Sequence, residues 1–304
     1  MKGKVMRSTG SFYDVLATDG QHYNCRVRGK IRLEGIKETN PVAVGDDVTI
    51  SLEHEIGTIL EILPRKNHML RQSVKKTGHT QVLSANVDQV LVIVTLAFPR
   101  TSLGFIDRVL VSAEAFRIPQ IIIFNKKDLL EEAGLKMFDE LDNLYSAIGT
   151  RCILTSALAE EQVEIKNLLK NKTTLITGHS GVGKSTLLNK ISPAIRQSTG
   201  EVSDFSEKGT HTTTFAEMFE LDPKTFVIDT PGIKEWGLVD MNKRELSDYF
   251  PEMRPLREYC KFQSRCLHIN EPKCAVKDGV ENGSIAPSRY DSYVGMIMGE
   301  DNRK

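Results

Sequence analysis

The stretch Gly178–Thr186, GHSGVGKST, places glycine, lysine and hydroxyl residues at the spacing of a phosphate cradle. Gly178 and Gly183 let the backbone curl until its N–H groups converge on phosphate oxygens, and His179, Ser180, Gly181 and Val182 supply the intervening amides. Lys184 can reach the β- and γ-phosphates, and the Ser185 hydroxyl, followed by Thr186, is suited to ligate Mg²⁺. The apolar run Thr173–Thr177 precedes the loop and a helical pattern follows it, so a helix N-terminus adds its positive dipole end.

Three other groups of residues can act with this loop. In Asn125-Lys126-Lys127-Asp128 (NKKD), the Asp128 carboxylate can accept two hydrogen bonds from guanine that adenine cannot offer. A buried polar edge left unpaired by the wrong base gives GTP its preference over ATP. Asn125 can bind the other base edge and the phosphate loop, and Ser156-Ala157 can present a backbone N–H to the guanine oxygen. In Asp229-Thr230-Pro231-Gly232 (DTPG), Asp229 is the expected Mg²⁺ partner and Gly232 can offer its N–H to the γ-phosphate. Between these lies a Gly/Ser/Thr-rich segment ending in GTHTTT, in which Thr212 or Thr213 is expected to close over Mg²⁺. The position after Gly232 is Ile233, where a Ras-like chain carries a water-orienting glutamine. Slow intrinsic hydrolysis is therefore expected, and His211 is the candidate to position the water, set against a loop histidine that only packs or caps.

A second chemistry sits near the C-terminus. Cys260, Cys266, His268 and Cys274 form C-x₅-C-x-H-x₅-C, a donor set suited to a closed tetrahedral Zn²⁺ site of structural type, one per chain. The surrounding stretch Arg254–Lys277 is basic, with six Lys/Arg against two Asp/Glu, and reads either as a nucleic-acid surface or as a solvated face.

The elements that must position these groups follow from the hydrophobic pattern. From Val87 to Asp229, continuous apolar strands alternate with amphipathic helices, which predicts a mostly parallel α/β sheet covered on both faces. NKKD and Ser156-Ala157 come before the phosphate loop, the reverse of the Ras order. The same sheet with its last strands moved to the front is a circular permutation, tolerated when a domain's termini lie close together. Residues 1–68 show short strands with Gly/Asp turns, as in an all-β OB-fold barrel. There Arg26, Arg28, Lys30 and Arg32 recur every second residue, a candidate RNA-backbone surface or an edge strand guarded by charge. The polar, basic stretch Arg65–Lys76 reads as a linker or arm, and Leu246–Cys260 and Tyr293–Met298 read as helices. The expected units are 1–68, 69–235 (the permuted GTPase domain) and 236–304 (a mainly helical zinc-binding domain).

Bulk composition narrows the class. Lys and Arg (40) balance Asp and Glu (40), so any nucleic-acid surface is local. The first residues lack the apolar core of a secretory signal, and the longest apolar run, near Val90–Phe98, is too short for a bilayer. Five cysteines do not form an even disulfide set.

This motif order, with a basic barrel before it and a Cys-Cys-His-Cys segment after it, resembles the RsgA (YjeQ) family of circularly permuted GTPases. The resemblance covers nearly the whole chain. It implies hydrolysis of GTP to GDP and phosphate, stimulated by the small (30S) ribosomal subunit, and docking on that subunit and its rRNA late in maturation. A cytoplasmic monomer without membrane association is expected. The reading that stands against turnover is a nucleotide-sensing RNA-binding module.

Overall fold

The computed structural model describes residues 1–27, 41–53, 56–72, 80–159, 161–192, 195, 216–230 and 241–299. Arg28, Lys30, Arg32, His211, Thr212, Thr213 and Gly232 lie outside the described residues.

The chain opens with β1 (Lys2–Ser8), β2 (Tyr13–Ala17), β3 (His22–Val27), β4 (Asp47–Glu53) and β5 (Ile56–Ile62). Alternation drives them: on β2, Tyr13, Val15 and Ala17 are buried while Asp14 and Leu16 are only half-buried. β1 pairs with both β2 and β4, and β3 runs parallel to β5, so the five strands close into the expected barrel around Val5, Val15, Cys25, Ile50 and Ile59. Closure removes sheet edges that would otherwise template aggregation.

The described part of the stretch predicted as a linker, residues 65–72, is structured instead. His68–Gln72 is a strand, β6, paired with β7 (Thr80–Ala85). Just before it, Arg65 grips the fully buried Asp46 through two bonds, Nε to Oδ1 at 2.7 Å and Nη2 to Oδ2 at 2.8 Å. A buried carboxylate needs a paired cation, and the basic composition that suggested a solvated arm supplies it.

The α/β unit contains the parallel strands β8 (Gln89–Thr95), β9 (Gln120–Asn125), β10 (Arg151–Leu154), β11 (Thr173–Thr177) and β13 (Thr225–Asp229), in the spatial order β10-β9-β8-β11-β13. β12 (Glu217–Asp222) runs antiparallel along β13 and meets β1 on its other side, so barrel and α/β unit share one sheet. Every residue of β8 is buried, as a central strand covered on both faces requires. Helices α1 (Leu103–Glu114) and α2 (Glu132–Ala147) cover one face, with Ile106, Val109 and Leu110 packing on Val92 and Phe124. Helices α3 (Val163–Leu169) and α4 (Lys184–Ile191) cover the other, with Ile165, Leu187 and Ile191 packing on Ile93 and Ile123. Ser102 caps α1 by accepting from Phe105 N at 3.3 Å, worth about 1 kcal/mol.

The C-terminal unit is less helical than the sequence predicts over 246–260. It forms two short 3₁₀ turns, Leu246–Tyr249 and Arg254–Tyr259, because Pro251 and Pro255 deny the hydrogen bonds a continuous α-helix needs. Helices α5 (Ala275–Glu281) and α6 (Pro287–Met298) follow, the latter spanning the predicted helical stretch. Their core, with Phe250, Met253 and Tyr293, also takes in Val111 from α1. Arg289 on α6 fixes the seam: it donates to Asp107 Oδ1 of α1 at 2.6 Å and to Glu252 Oε1 at 2.7 Å, with all three side chains at most 8% exposed. No helix among the described residues is long and apolar enough to cross a membrane.

Candidate nucleotide site and metal centre

The loops that carry chemistry leave the carboxyl ends of neighbouring parallel strands, the place where open α/β sheets build their crevices. NKKD follows β9, Ser156-Ala157 follows β10, the glycine loop follows β11 and Asp229 ends β13. Asn125 ties the first three together. Its Nδ2 donates to Val182 O at 2.8 Å, and its Oδ1 accepts from Ala157 N at 2.9 Å. Ala157's N–H is thus directed at Asn125 in this geometry. Ser156 Oγ in turn donates to Asp128 Oδ1, holding the carboxylate at the exposed rim. Lys126, in the left-handed region at φ 66°, sends Nζ to Phe98 O at 2.9 Å, and Lys127 is exposed in the turn that follows.

The glycines of the phosphate loop are demanded by close approach. A Cβ on Gly183, at φ +92°, would lie 2.4 Å from Asn125 Nδ2, and one on Gly178 would lie 2.2 Å from Ile93 O. His179 packs on Phe105 of α1 with ring centroids 3.8 Å apart and the planes tilted by 35°. Ser180 and Gly181 form the exposed crest of the loop, while Ser185 and Thr186 begin α4 and face solvent. Lys184 folds back over the loop, with Nζ 2.6 Å from Gly178 O and 2.8 Å from His179 O.

Electrostatics agree with a site built for a ligand that brings its own charge. Burial lowers the Lys184 ammonium from its ordinary value, partly offset by Asp229. Burial raises the Asp229 carboxyl, partly offset by Lys184. Asp229 Oδ1 is buried without a hydrogen-bond partner among the described residues. An orphaned carboxylate oxygen beside a partly desolvated lysine fits a centre completed by a divalent cation and phosphates. Between the loop after β10 and α4, Ala157, Leu158, Thr186, Asn189 and Lys190 line a cavity of about 300 Å³.

The C-terminal cluster brings its four ligand atoms within 4.8 Å of one another, and all four residues are buried. Cys260 and Cys274 sulfurs are 3.8 Å apart, and His268 Nδ1 lies 3.5 and 3.3 Å from them. A tetrahedral ion with metal–sulfur bonds near 2.3 Å has sulfur–sulfur edges of about 3.8 Å, so the Cys260, His268 and Cys274 donors already stand at the spacing of such a site, with Cys266 Sγ within 4.8 Å of them. Burial pushes the Cys266 thiol up to about 12, so its thiolate needs a compensating cation, and pushes His268 down to about 4, which favours the neutral imidazole that ligates a metal. The loop is held from outside. Glu271 accepts from Leu267 N at 2.8 Å and Ile269 N at 2.9 Å, and Tyr290 and Tyr293 donate to His268 O and Leu267 O. His268 Nε2 meets Ser247 Oγ at 3.2 Å, which orients the ring.

Of the basic row in the barrel, Arg26 lies on β3 with its guanidinium 4.3 Å above the Phe12 ring. Sequence reading passed over the contributions of Phe105, Ser247 and Glu271. Only a fold that brings distant segments together reveals them.

Residues 62–239 match the family described as RsgA GTPase, and residues 2–59 match the RsgA N-terminal domain. A small ribosomal subunit biogenesis GTPase RsgA from Cytophaga hutchinsonii is 49% identical, over 100% of this chain and 100% of the relative. One from Christiangramia forsetii is 47% identical, over 99% of this chain and 97% of the relative. Among solved structures, YjeQ from Thermotoga maritima is 35% identical with a TM-score of 0.77, covering 100% of this chain and 99% of that one. YloQ, a circularly permuted GTPase, is 32% identical with a TM-score of 0.73, covering 100% and 96%. With both family regions matched and full-length relatives near half identity, this chain belongs to the RsgA GTPase family.

Proposed function

We propose that the chain hydrolyses GTP to GDP and phosphate and uses the nucleotide state to govern its binding to the small ribosomal subunit and its rRNA, late in that subunit's maturation. The observation that carries this is the junction at Asn125, where the base-reading, base-supporting and phosphate loops meet, in a chain alignable end to end with small ribosomal subunit biogenesis GTPases.

In this reading Asp128 and Asn125 read guanine, with Lys126 and Lys127 flanking and Ser156 steadying Asp128. Amides of residues 178–186 cradle the phosphates, and Lys184 swings from its two carbonyls onto the β- and γ-phosphates. Ser185, Asp229 and Thr212 or Thr213 hold Mg²⁺, which when bound supplies charge neutralisation between the β- and γ-phosphates. Gly232 contacts the γ-phosphate, and His211 orients the attacking water. Arg26, Arg28, Lys30 and Arg32 lie along RNA phosphates. Cys260, Cys266, His268 and Cys274 hold a structural Zn²⁺. The protein acts as a cytoplasmic monomer.

Ile233 keeps intrinsic turnover low, so the subunit must complete the catalytic arrangement. Turnover of GTP with and without purified small subunits tests this. Strong stimulation is expected. No hydrolysis in either condition would overturn it in favour of a nucleotide-sensing RNA-binding module.

A further inference from the structure

Asp229 sits in a row of charges that crosses three strands. In the register of β12 and β13, Glu217 lies directly opposite Asp229, and on its other side Glu217 lies opposite Arg7 of β1. Directly opposed residues project from the same face of a sheet, with Cβ atoms about 5 Å apart. The neighbouring pairs identify that face. Ile228 and Met218, with Met6, belong to the core beneath α1, whereas Val227 and Phe219 belong to the core beneath α4. Arg7, Glu217 and Asp229 alternate with the first set, so they face the α4 side, where Lys184 acts on Asp229. Arg7 Nη1 stands 3.7 Å from Glu217 Oε1, and both side chains are only partly exposed.

Two carboxylates opposed across a ladder repel each other. Arg7 lies on the far side of Glu217, between it and Asp14 of β2, and does not reach Asp229's side of the row. Asp229 Oδ1 has no hydrogen-bond partner among the described residues. A compensating cation on the Asp229 side would complete the row. β12 also opens directly after residues 196–215, which carry Thr212 and Thr213, while β1 belongs to the barrel.

We propose that Glu217 is an outer carboxylate of the Mg²⁺ centre, acting through Asp229 and the cation's water shell, and that Arg7 of the barrel tunes it. This rests on the assignment of Asp229 as the Mg²⁺ residue. Glu217 is a positioning residue: its charge raises the affinity of the site for the dication, and Arg7 competes for that charge. Mg²⁺ keeps much of its hydration, so an acceptor one shell out is a natural place for such a carboxylate.

The test uses the full chain and a fluorescent GDP, following its release rate as Mg²⁺ is titrated. Wild-type release is expected to slow with Mg²⁺. Glu217→Gln is expected to raise the half-saturating Mg²⁺ concentration about three- to tenfold, with release in the absence of Mg²⁺ unchanged. Glu217→Asp, which keeps the charge, is expected to restore most of the effect. Arg7→Gln is expected to lower the half-saturating concentration about twofold in the wild-type background and to do nothing in Glu217→Gln. An unchanged Mg²⁺ response in Glu217→Gln, while Asp229→Asn abolishes it, would overturn the proposal and leave the nucleotide site intact. Wild-type release indifferent to Mg²⁺ would overturn the assignment of Asp229 itself.

Discussion

Asn125 donates a hydrogen bond of 2.8 Å to the carbonyl of Val182, a residue 57 positions later in the chain. That one bond shows how the permuted order still builds a single site. Strand β9 delivers NKKD beside the phosphate loop although it comes first in sequence, because the sheet order β10-β9-β8-β11-β13 is set by parallel pairing and not by the direction of connection. The permutation also decides where the chain goes next. It leaves the α/β unit from β13 and enters the C-terminal unit, which is clamped onto α1 by Arg289 and Asp107.

Asn125→Ala is expected to weaken binding of fluorescent GDP at least tenfold and to lower stability by about 1–3 kcal/mol, since Val182 O and Ala157 N would lose their partner. Gly183→Ala drives a Cβ to 2.4 Å from Asn125 Nδ2 and is expected to reproduce the binding loss. Titration fluorimetry and urea denaturation measure the two effects. GDP affinity unchanged in both variants would remove Asn125 from the site.

Asp128→Asn exchanges acceptor for donor on the edge that reads the base. The variant is expected to lose GTP and gain xanthosine triphosphate, by roughly the two to three orders of magnitude that a mispaired buried polar group costs. Competition of the two nucleotides against a fluorescent analogue measures this. Guanine preference retained in the variant would contradict the role given to NKKD.

Arg289 is 1% exposed and bound to two carboxylates, with its guanidinium 4.7 Å from the Phe250 ring. Arg289→Ala leaves Asp107 and Glu252 buried without their cation and is expected to cost about 3–5 kcal/mol. Burial already pushes the Asp107 carboxyl up, opposed chiefly by Arg289, so loss of the guanidinium is expected to push it up further. Denaturation with a probe in each unit is expected to show the C-terminal unit melting ahead of the α/β unit. A loss below 1 kcal/mol would show that Arg289 does not hold the seam.

How much of this was legible in the sequence follows from what each feature requires. Gly178, Gly183, Lys184 and Asp128 announce themselves because phosphate and guanine recognition, the role proposed for them, demands those residue types at fixed spacing. The strands β8, β9 and β11 are equally plain, since burial on both faces leaves unbroken apolar runs. The Arg65–Lys76 stretch misled because Arg65 answers a distant buried Asp46 and not solvent, and because residues 68–72 pair as a strand with a later segment. The 246–260 segment misled because helical spacing of apolar residues outweighed the two prolines. The Asp107–Arg289 bond, 182 residues apart, and the Arg7–Glu217 bridge leave no local pattern at all.

Chelation with a strong zinc chelator is expected to expose Cys260, Cys266 and Cys274 to a thiol reagent while Cys25, sealed in the barrel core, stays silent. The four cluster residues are buried, and burial raises the Cys266 and Cys274 thiols, so on chelation the C-terminal unit is expected to lose both a cross-link and a compensating charge. Thiol titration before and after chelation, with metal analysis of the native protein, measures this. Native protein free of zinc with those three thiols unreactive would contradict a structural metal.

The central claim is that nucleotide state governs attachment to the small ribosomal subunit. Its most direct measurement is binding of the full chain to purified small subunits, with a non-hydrolysable GTP analogue and with GDP, at two salt concentrations. The account predicts roughly tenfold or greater tightening with the GTP analogue, and binding that weakens as salt rises. Equal affinity in the two nucleotide states would contradict it.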